Sequence, residues 1–314
     1  MEEILSYFPS NIRNIIFEEI KDKFETLEEI RLRMNRPIIL KFTDNEKAIK
    51  YSVSAEEINT TLQAICENSI YTYQNEIAEG FITIKGGNRV GISGSCVIED
   101  GKVININYIY SLNFRIAREV IGAGNRIIKF ILDSESNSIY NTLIVSKPGS
   151  GKTTAIRDII RQLSSGIKDI KFLAINVGIV DERGEIAALY KGNPENDIGI
   201  KTDVIENVSK SNGLEMLIRS MAPKVVVADE IGKQEDIEAI KYAVCSGCKG
   251  LFTAHGSSFE DISLNPIIKN LISEGILERI VFLDDNSKGR VREAYKLNKK
   301  LGEYEKMVNK IWWF

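Results

Sequence analysis

Pro148-Gly149-Ser150-Gly151-Lys152-Thr153-Thr154 puts a lysine and a threonine directly behind a run of small residues, the types that polyphosphate chemistry calls for. Consecutive backbone N–H groups around such a turn point at phosphate oxygens, and a helix that follows adds its positive end. Gly149 and Gly151 let the chain pass without a Cβ in the way. Lys152 would bring a mobile charge to the β and γ phosphates, and Thr153 a hydroxyl to Mg2+. The phosphate-loop pattern begins with glycine, whereas this chain has Ser146. If that position needed positive φ, the serine would cost about 1 kcal/mol while removing no charge and no donor. A strand-like run, Asn141 to Val145, precedes the turn and a helical pattern follows it, which argues for a working site over a chance glycine-rich turn. The expected nucleotide contacts are Lys147, Pro148, Gly149, Ser150, Gly151, Lys152, Thr153 and Thr154.

Carboxylates occur where such a site would need them. In "KVVVADEIG" four apolar residues lead to Asp229 and Glu230 at a strand end, beside the crevice where open α/β sheets bind ligands. One would organise Mg2+ and the other polarise the attacking water; Thr153, Asp229 and Glu230 form the expected metal set. The alternative is a solvated strand end. "VDERGE" adds Asp181, Glu182 and Glu185 around Arg183, candidates for metal and water or else a surface salt-bridge set of little energetic weight. His255, the only histidine, ends another β run and is read as a sensor of the γ-phosphate against the plainer reading of a satisfied core group. Arg31, Arg33, Arg36, Arg89, Arg115 and Arg118 recur at strand positions in the first part of the chain. Such arginines are ordinarily solvated, but phosphoryl transfer gains from extra guanidinium charge, often supplied in trans, and the set could line a cleft between domains.

The elements that position these residues fall into two textures. The first is mixed α and β: an apolar-periodic segment near Ile12–Ile20, strands in "EEIRLRM" and "PIILKF", and a helix from Ser54 with Glu57 three residues on as a capping box. A hairpin turns at Gly86-Gly87-Asn88, and a further strand pair lies in "KVININY" and "SLNFRIA". Two glycines in "IGAGNR" mark the expected boundary, giving an α+β domain over 1–122 and a phosphate-loop domain over 123–314. From there strands and helices alternate, and the strands are continuous Val/Ile/Leu runs, as in an α/β fold whose parallel sheet is covered on both faces.

With 43% apolar and 27% charged residues and a formal charge of −3, the 314-residue chain reads as a globular protein without a global basic field, so no nucleic-acid partner is expected. No apolar run is long enough to span a bilayer and the start lacks a secretory pattern, so a cytoplasmic location is expected. Cys245 and Cys248 form a lone C-x-x-C, read as small buried thiols at a helix end over half a metal site or a redox pair. The tail "EYEKMVNKIWWF" is read as docking on its own domain, with a membrane-surface or partner contact as the alternative.

Together "EEIRLRMNRPIIL", "EGFITIKGGNRVGISG", "NFRIAREV", "PGSGKTTAIRD", "VDERGEIA" and "FTAHGSS" resemble the stage III sporulation protein AA family, ATPases of endospore-forming bacteria, across nearly the whole chain. That family is similar to the ATPases of type II and type IV secretion and of pilus retraction. The resemblance implies a RecA-like phosphate-loop domain behind a smaller amino-terminal domain, ATP and Mg2+ as cofactors, and a hexameric ring. It implies catalytic roles for Lys152, for Glu185 in the acidic box, for Glu230 in the Walker B segment and for His255 in the histidine box. It also points to Arg89 and Arg115 as γ-phosphate contacts. Membrane proteins of a sporulation secretion channel are the implied partners, with the ring on the cytoplasmic face of the mother-cell membrane. Ser146 and the cysteine pair depart from the pattern. A RecA-like nucleic-acid motor and a nucleotide-gated scaffold without turnover are the rival readings.

Overall fold

The computed structural model describes residues 1–285, 287 and 289–307. The chain forms two compact units, one of Met1–Arg118 with Ala188–Glu195, the other of Glu119–Ala187 with the chain from Asn196 onward. In place of a single boundary near residue 122, the chain passes between units after residues 118, 187 and 195.

In the first unit the strands lie in the order Glu46–Ile49, Ile38–Phe42, Leu27–Arg33, Lys102–Arg115, Asn88–Glu99, Phe81–Ile84, and every neighbouring pair is antiparallel. Strand Leu27–Arg33 buries Leu27, Ile30 and Leu32; a bulge between Leu27 and Glu29 stretches the first spacing from two residues to three. Helix Ser10–Ile20 buries Ile12, Ile16 and Ile20 in the same core, at the four-residue spacing of one helical face. Ser54 caps helix Ala55–Ile65 as expected: Glu57 N donates to Ser54 Oγ at 3.2 Å, and Ser54 N donates to the Glu57 carboxylate at 2.8 Å. The hairpin at Gly86-Gly87 is present. "KVININY" and "SLNFRIA" are not a strand pair but parts of one strand, Lys102–Arg115, pairing with Asn88–Glu99. No glycine or proline interrupts this aromatic and β-branched stretch. Tyr108, at φ 47°, merely marks a register shift where the chain would otherwise turn.

Residues 188–195 form a small hairpin of the first unit, pairing Leu189 with Pro194 and Tyr190 with Asn193. Lys191 and Gly192 turn it at φ 50° and 79°, the double positive φ of a type I′ turn. Tyr190 Oη donates to Glu67, Lys191 Nζ pairs with Glu67 at 2.6 Å, and the Glu195 carboxylate accepts from Gly86 N at 2.7 Å.

The second unit is built on an eight-stranded sheet in the order Thr202–Glu206, Val177–Asp181, Val225–Ala228, Lys249–His255, Thr142–Ser146, Arg279–Leu283, Val291–Asn298, Glu303–Lys306. The first six strands run parallel; the last two fold back antiparallel. Every residue of Thr142–Ser146, Val177–Asp181 and Val225–Ala228 is buried, as strands covered on both faces must be. The strand read in "KFLAINVGIVD" covers only its second half. Cys248 is buried and donates to the Pro223 carbonyl at 3.2 Å, whereas Cys245 is exposed and so departs from the expectation of two buried thiols. Among the described residues no helix is long and apolar enough to cross a membrane. Residues 308–314, which carry the aromatic end of the tail, lie outside the described residues.

A buried acid pins the amino ends of the central strands. Glu278 accepts from Asn141 N at 3.0 Å and pairs with Lys249 at 2.8 Å and Lys299 at 2.7 Å, while the Asn141 side chain accepts from Gly250 N at 2.9 Å. Burial opposes ionisation of Glu278, but the two lysines and the amide outweigh it and bring its carboxyl down to about 2 from an ordinary 4.5. A depressed carboxyl stabilises the fold above its ordinary pKa, and the benefit fades as pH falls through the folded value. Glu278→Gln is therefore expected to lower the urea midpoint at neutral pH, with the gap to wild type closing between about pH 4.5 and about 2. A gap independent of pH would contradict the assignment.

Candidate functional site

The register of the parallel strands brings their polar ends together. His255 lies opposite Ser146, Phe252 opposite Ala228, and Val180 opposite Ala228 on the other side, so Ser146, Asp181, Asp229 and His255 finish adjacent strands along one edge. Helix Lys152–Ser165 starts from this edge with Gly151 as its N-cap at φ 88° and no side-chain cap, leaving its first-turn amides for another acceptor. Gly149 is also left-handed, at φ 79°, and a Cβ there would meet only open space, so backbone conformation and not crowding demands the glycine. Ser146 is outside the positive-φ region, so the strain anticipated from its sequence is absent.

Lys152 is buried, with its Nζ donating to Ser146 O at 3.0 Å, Ser146 Oγ at 3.2 Å and Lys147 O at 3.3 Å, and lying 3.1 Å from His255 Nδ1. Burial pulls its pKa below the ordinary lysine value, against the opposing pull of Asp229 and Glu230. The ammonium has three N–H groups for these four partners, so one proton is shared between two acceptors; since it carries only donors, His255 Nδ1 accepts and Nε2 carries the proton offered to Glu230 Oε1 at 2.9 Å. Arg183 donates to the other Glu230 oxygen at 2.6 Å. Glu230 is left-handed at φ 55°, a conformation costing a non-glycine residue about 1 kcal/mol and held here by its N–H donating to Thr253 Oγ at 2.7 Å. Asp229 accepts from Thr153 Oγ at 2.8 Å on one oxygen and from the Thr253 hydroxyl on the other.

The acidic cluster divides by task. Asp181 is buried and accepts three backbone amides, Glu185 N at 2.7 Å, Ile186 N at 3.0 Å and Ala187 N at 2.8 Å, so both its oxygens are engaged in shaping the loop. Arg157, on the lysine-bearing helix, locks the same loop by donating to Glu185 O at 2.8 Å and Ile186 O at 3.0 Å. Glu182 pairs with Lys210 and, at 3.4 Å, with Lys233.

Pro148, Gly149, Gly151, Lys152, Thr153 and Thr154 share a cavity of about 380 Å³ with Glu185, Asp229, Glu230 and His255, and with Arg183. Two expected loop contacts are not part of it: Lys147 pairs with Asp285 at 2.8 Å, and Ser150 is buried with its carbonyl accepting from Gly289 N. Arg89 and Arg115 belong to the first unit, opposite one another in register, with Glu29 next across the sheet from Arg115. The Arg89 guanidinium lies 4.4 Å over the Phe81 ring. Arg118 donates to Phe24 O at 2.6 Å and Leu27 O at 2.8 Å, bonds that close its own unit.

Sequence reasoning missed Thr253 and gave Arg183 and Arg157 no place of their own. Thr253 had a signal: it stands two residues before His255 and so on the same strand face, a polar group inside an apolar run.

A family model described as sporulation stage III, protein AA, matches residues 1–301. Stage III sporulation protein AA of Bacillus subtilis (strain 168) is 36% identical over 296 residues, covering 94% of this chain and 95% of its own. Among solved structures, the Legionella pneumophila ATPase DotB superposes with a TM-score of 0.58 at 13% identity, over 94% of this chain and 84% of that one. The pilus retraction motor PilT with bound ADP superposes with 0.55 at 17% identity, over 85% and 77%. Those structures share with this chain a fold, a RecA-like α/β domain preceded by an amino-terminal domain. By the extent of the family match and the identity to the Bacillus protein, the chain belongs to the sporulation stage III protein AA family.

Proposed function

We propose that this chain is a Mg2+-dependent ATPase, and that hydrolysis drives a membrane secretion or assembly machine during endospore formation. One observation carries the catalytic part: Lys152, the Thr153–Asp229 pair and Glu230 converge on the cavity into which the glycine-rich turn opens. Three acceptors now hold the Lys152 ammonium near the loop, and a β- or γ-phosphate would compete for it with a full charge. The free first-turn amides of helix Lys152–Ser165 suit the same anion. Thr153 Oγ and the Asp229 carboxylate, 2.8 Å apart, are the hard oxygen donors that suit magnesium. The ion would neutralise charge on the two terminal phosphates.

Water attacks the γ-phosphorus, the bond to the β-phosphate oxygen breaks, and the water's proton passes to a carboxylate. Glu230 is the proposed acceptor, oriented by His255 and by Arg183; Glu185 is the second acid on the cavity wall. Arg89 and Arg115 are proposed to supply guanidinium charge in trans within a homo-oligomeric ring, expected to be a hexamer. The names of the relatives support the wider role: a sporulation protein, an ATPase and a pilus retraction motor. Membrane proteins of the sporulation channel are the proposed partners, with the ring on the cytoplasmic face.

Purified protein with Mg2+ and ATP is expected to release phosphate, and Lys152→Ala to abolish release; ATP binding without turnover would favour a nucleotide-gated scaffold, and strong stimulation by single-stranded DNA a nucleic-acid motor. Glu230→Gln is expected to keep ATP affinity while lowering kcat by about a hundredfold or more, and unchanged phosphate release would remove Glu230 from the mechanism.

A further inference from the structure

We propose that Thr253 is a positioning residue that sets the metal-side and water-side carboxylates of the site in one geometry. This rests on the ATPase reading of the same cavity. Thr253 sits in strand Lys249–His255 with no exposed surface, so its hydroxyl must be satisfied from within the protein. A hydroxyl has one proton and two lone pairs. Here the proton goes to the Asp229 carboxylate and a lone pair accepts Glu230 N–H at 2.7 Å. One oxygen atom thus bridges two consecutive residues with different proposed tasks. Asp229 is left with its other oxygen on Thr153 Oγ at 2.8 Å, and Glu230 is held left-handed at φ 55°, which aims its carboxylate at His255 and Arg183. Without the hydroxyl, Asp229 could turn about its χ2 angle, and the Glu230 amide would lose the acceptor that its backbone conformation presents to it.

Thr253 lines neither the glycine-rich turn nor the cavity wall. Its loss should therefore spare nucleotide binding and reach the reaction only through the two acids. That separates it from a residue that merely fills the core.

The test compares wild type, Thr253→Val and Thr253→Ser by titration with a fluorescent ATP analogue, with and without Mg2+, alongside steady-state turnover and thermal melts. Valine keeps the strand preference and nearly the shape; serine restores the hydroxyl. Thr253→Val is expected to bind the analogue as wild type does without Mg2+, to lose about tenfold of the metal-dependent gain, and to lower kcat with little change in KM. Thr253→Ser is expected to recover both. Wild-type metal dependence and kcat in Thr253→Val would overturn the proposal, as would a parallel loss of metal-free affinity and melting temperature not recovered by serine. Absence of any analogue binding by wild type would instead fell the nucleotide reading, and this proposal with it.

Discussion

Asp229 is shared between two hydroxyls, and the arrangement of the site follows from that division. One oxygen holds Thr153 at the start of the lysine-bearing helix; the other holds Thr253, on the neighbouring strand. Three elements distant in sequence therefore meet at one carboxylate: helix Lys152–Ser165, the end of strand Val225–Ala228 and strand Lys249–His255. Hydrogen bonds to a charged acceptor are about twice as strong as neutral ones. They are also directional, so the lysine-bearing helix is fixed in rotation as well as in distance.

The sheet makes this possible by excluding polarity everywhere else. Strands Thr142–Ser146, Val177–Asp181 and Val225–Ala228 are buried along their whole length with polar groups only at their ends, and Thr253 is the polar exception inside the neighbouring strand Lys249–His255. At the amino ends, Glu278 and Asn141 cross-link three strands through backbone amides and lysines. At the carboxyl ends, Asp181, Asp229, Glu230 and His255 emerge together because the parallel register aligns the strand tips. An apolar sheet clamped at one margin leaves little freedom at the other, which is the rigidity a site needs if its hydrogen bonds are to be preorganised.

Much of this was legible in residue types and spacing. The continuous apolar runs announced a parallel sheet, the glycine-rich turn announced the start of the lysine-bearing helix, and Ser54 with Glu57 announced its capping box. What escaped reading was whatever depends on partners far along the chain. Asp181 and Asp229 both end apolar strands, and only the neighbouring backbone shows that Asp181 spends its oxygens on amides. Thr253 shows in the sequence only as a polar side chain inside an apolar run, and its partners emerge only once the strand beside it is known. The long strand Lys102–Arg115 was divided in two because local patterning does not reveal that a chain can swivel at Tyr108 and continue. Residues 279–306 received no elements, although three strands finish the sheet there.

The small hairpin at residues 188–195 carries a consequence for how this molecule can be taken apart. It begins only a few residues after Glu185, yet its bonding partners, Glu67 and Gly86, lie in the first unit. A fragment severed at residue 119 would carry away eight residues whose anchors stay behind, and the piece left over would lack the hairpin bonded to its Glu67 and Gly86. The unit boundary is a braid of chain passages, so no single scission yields both halves intact.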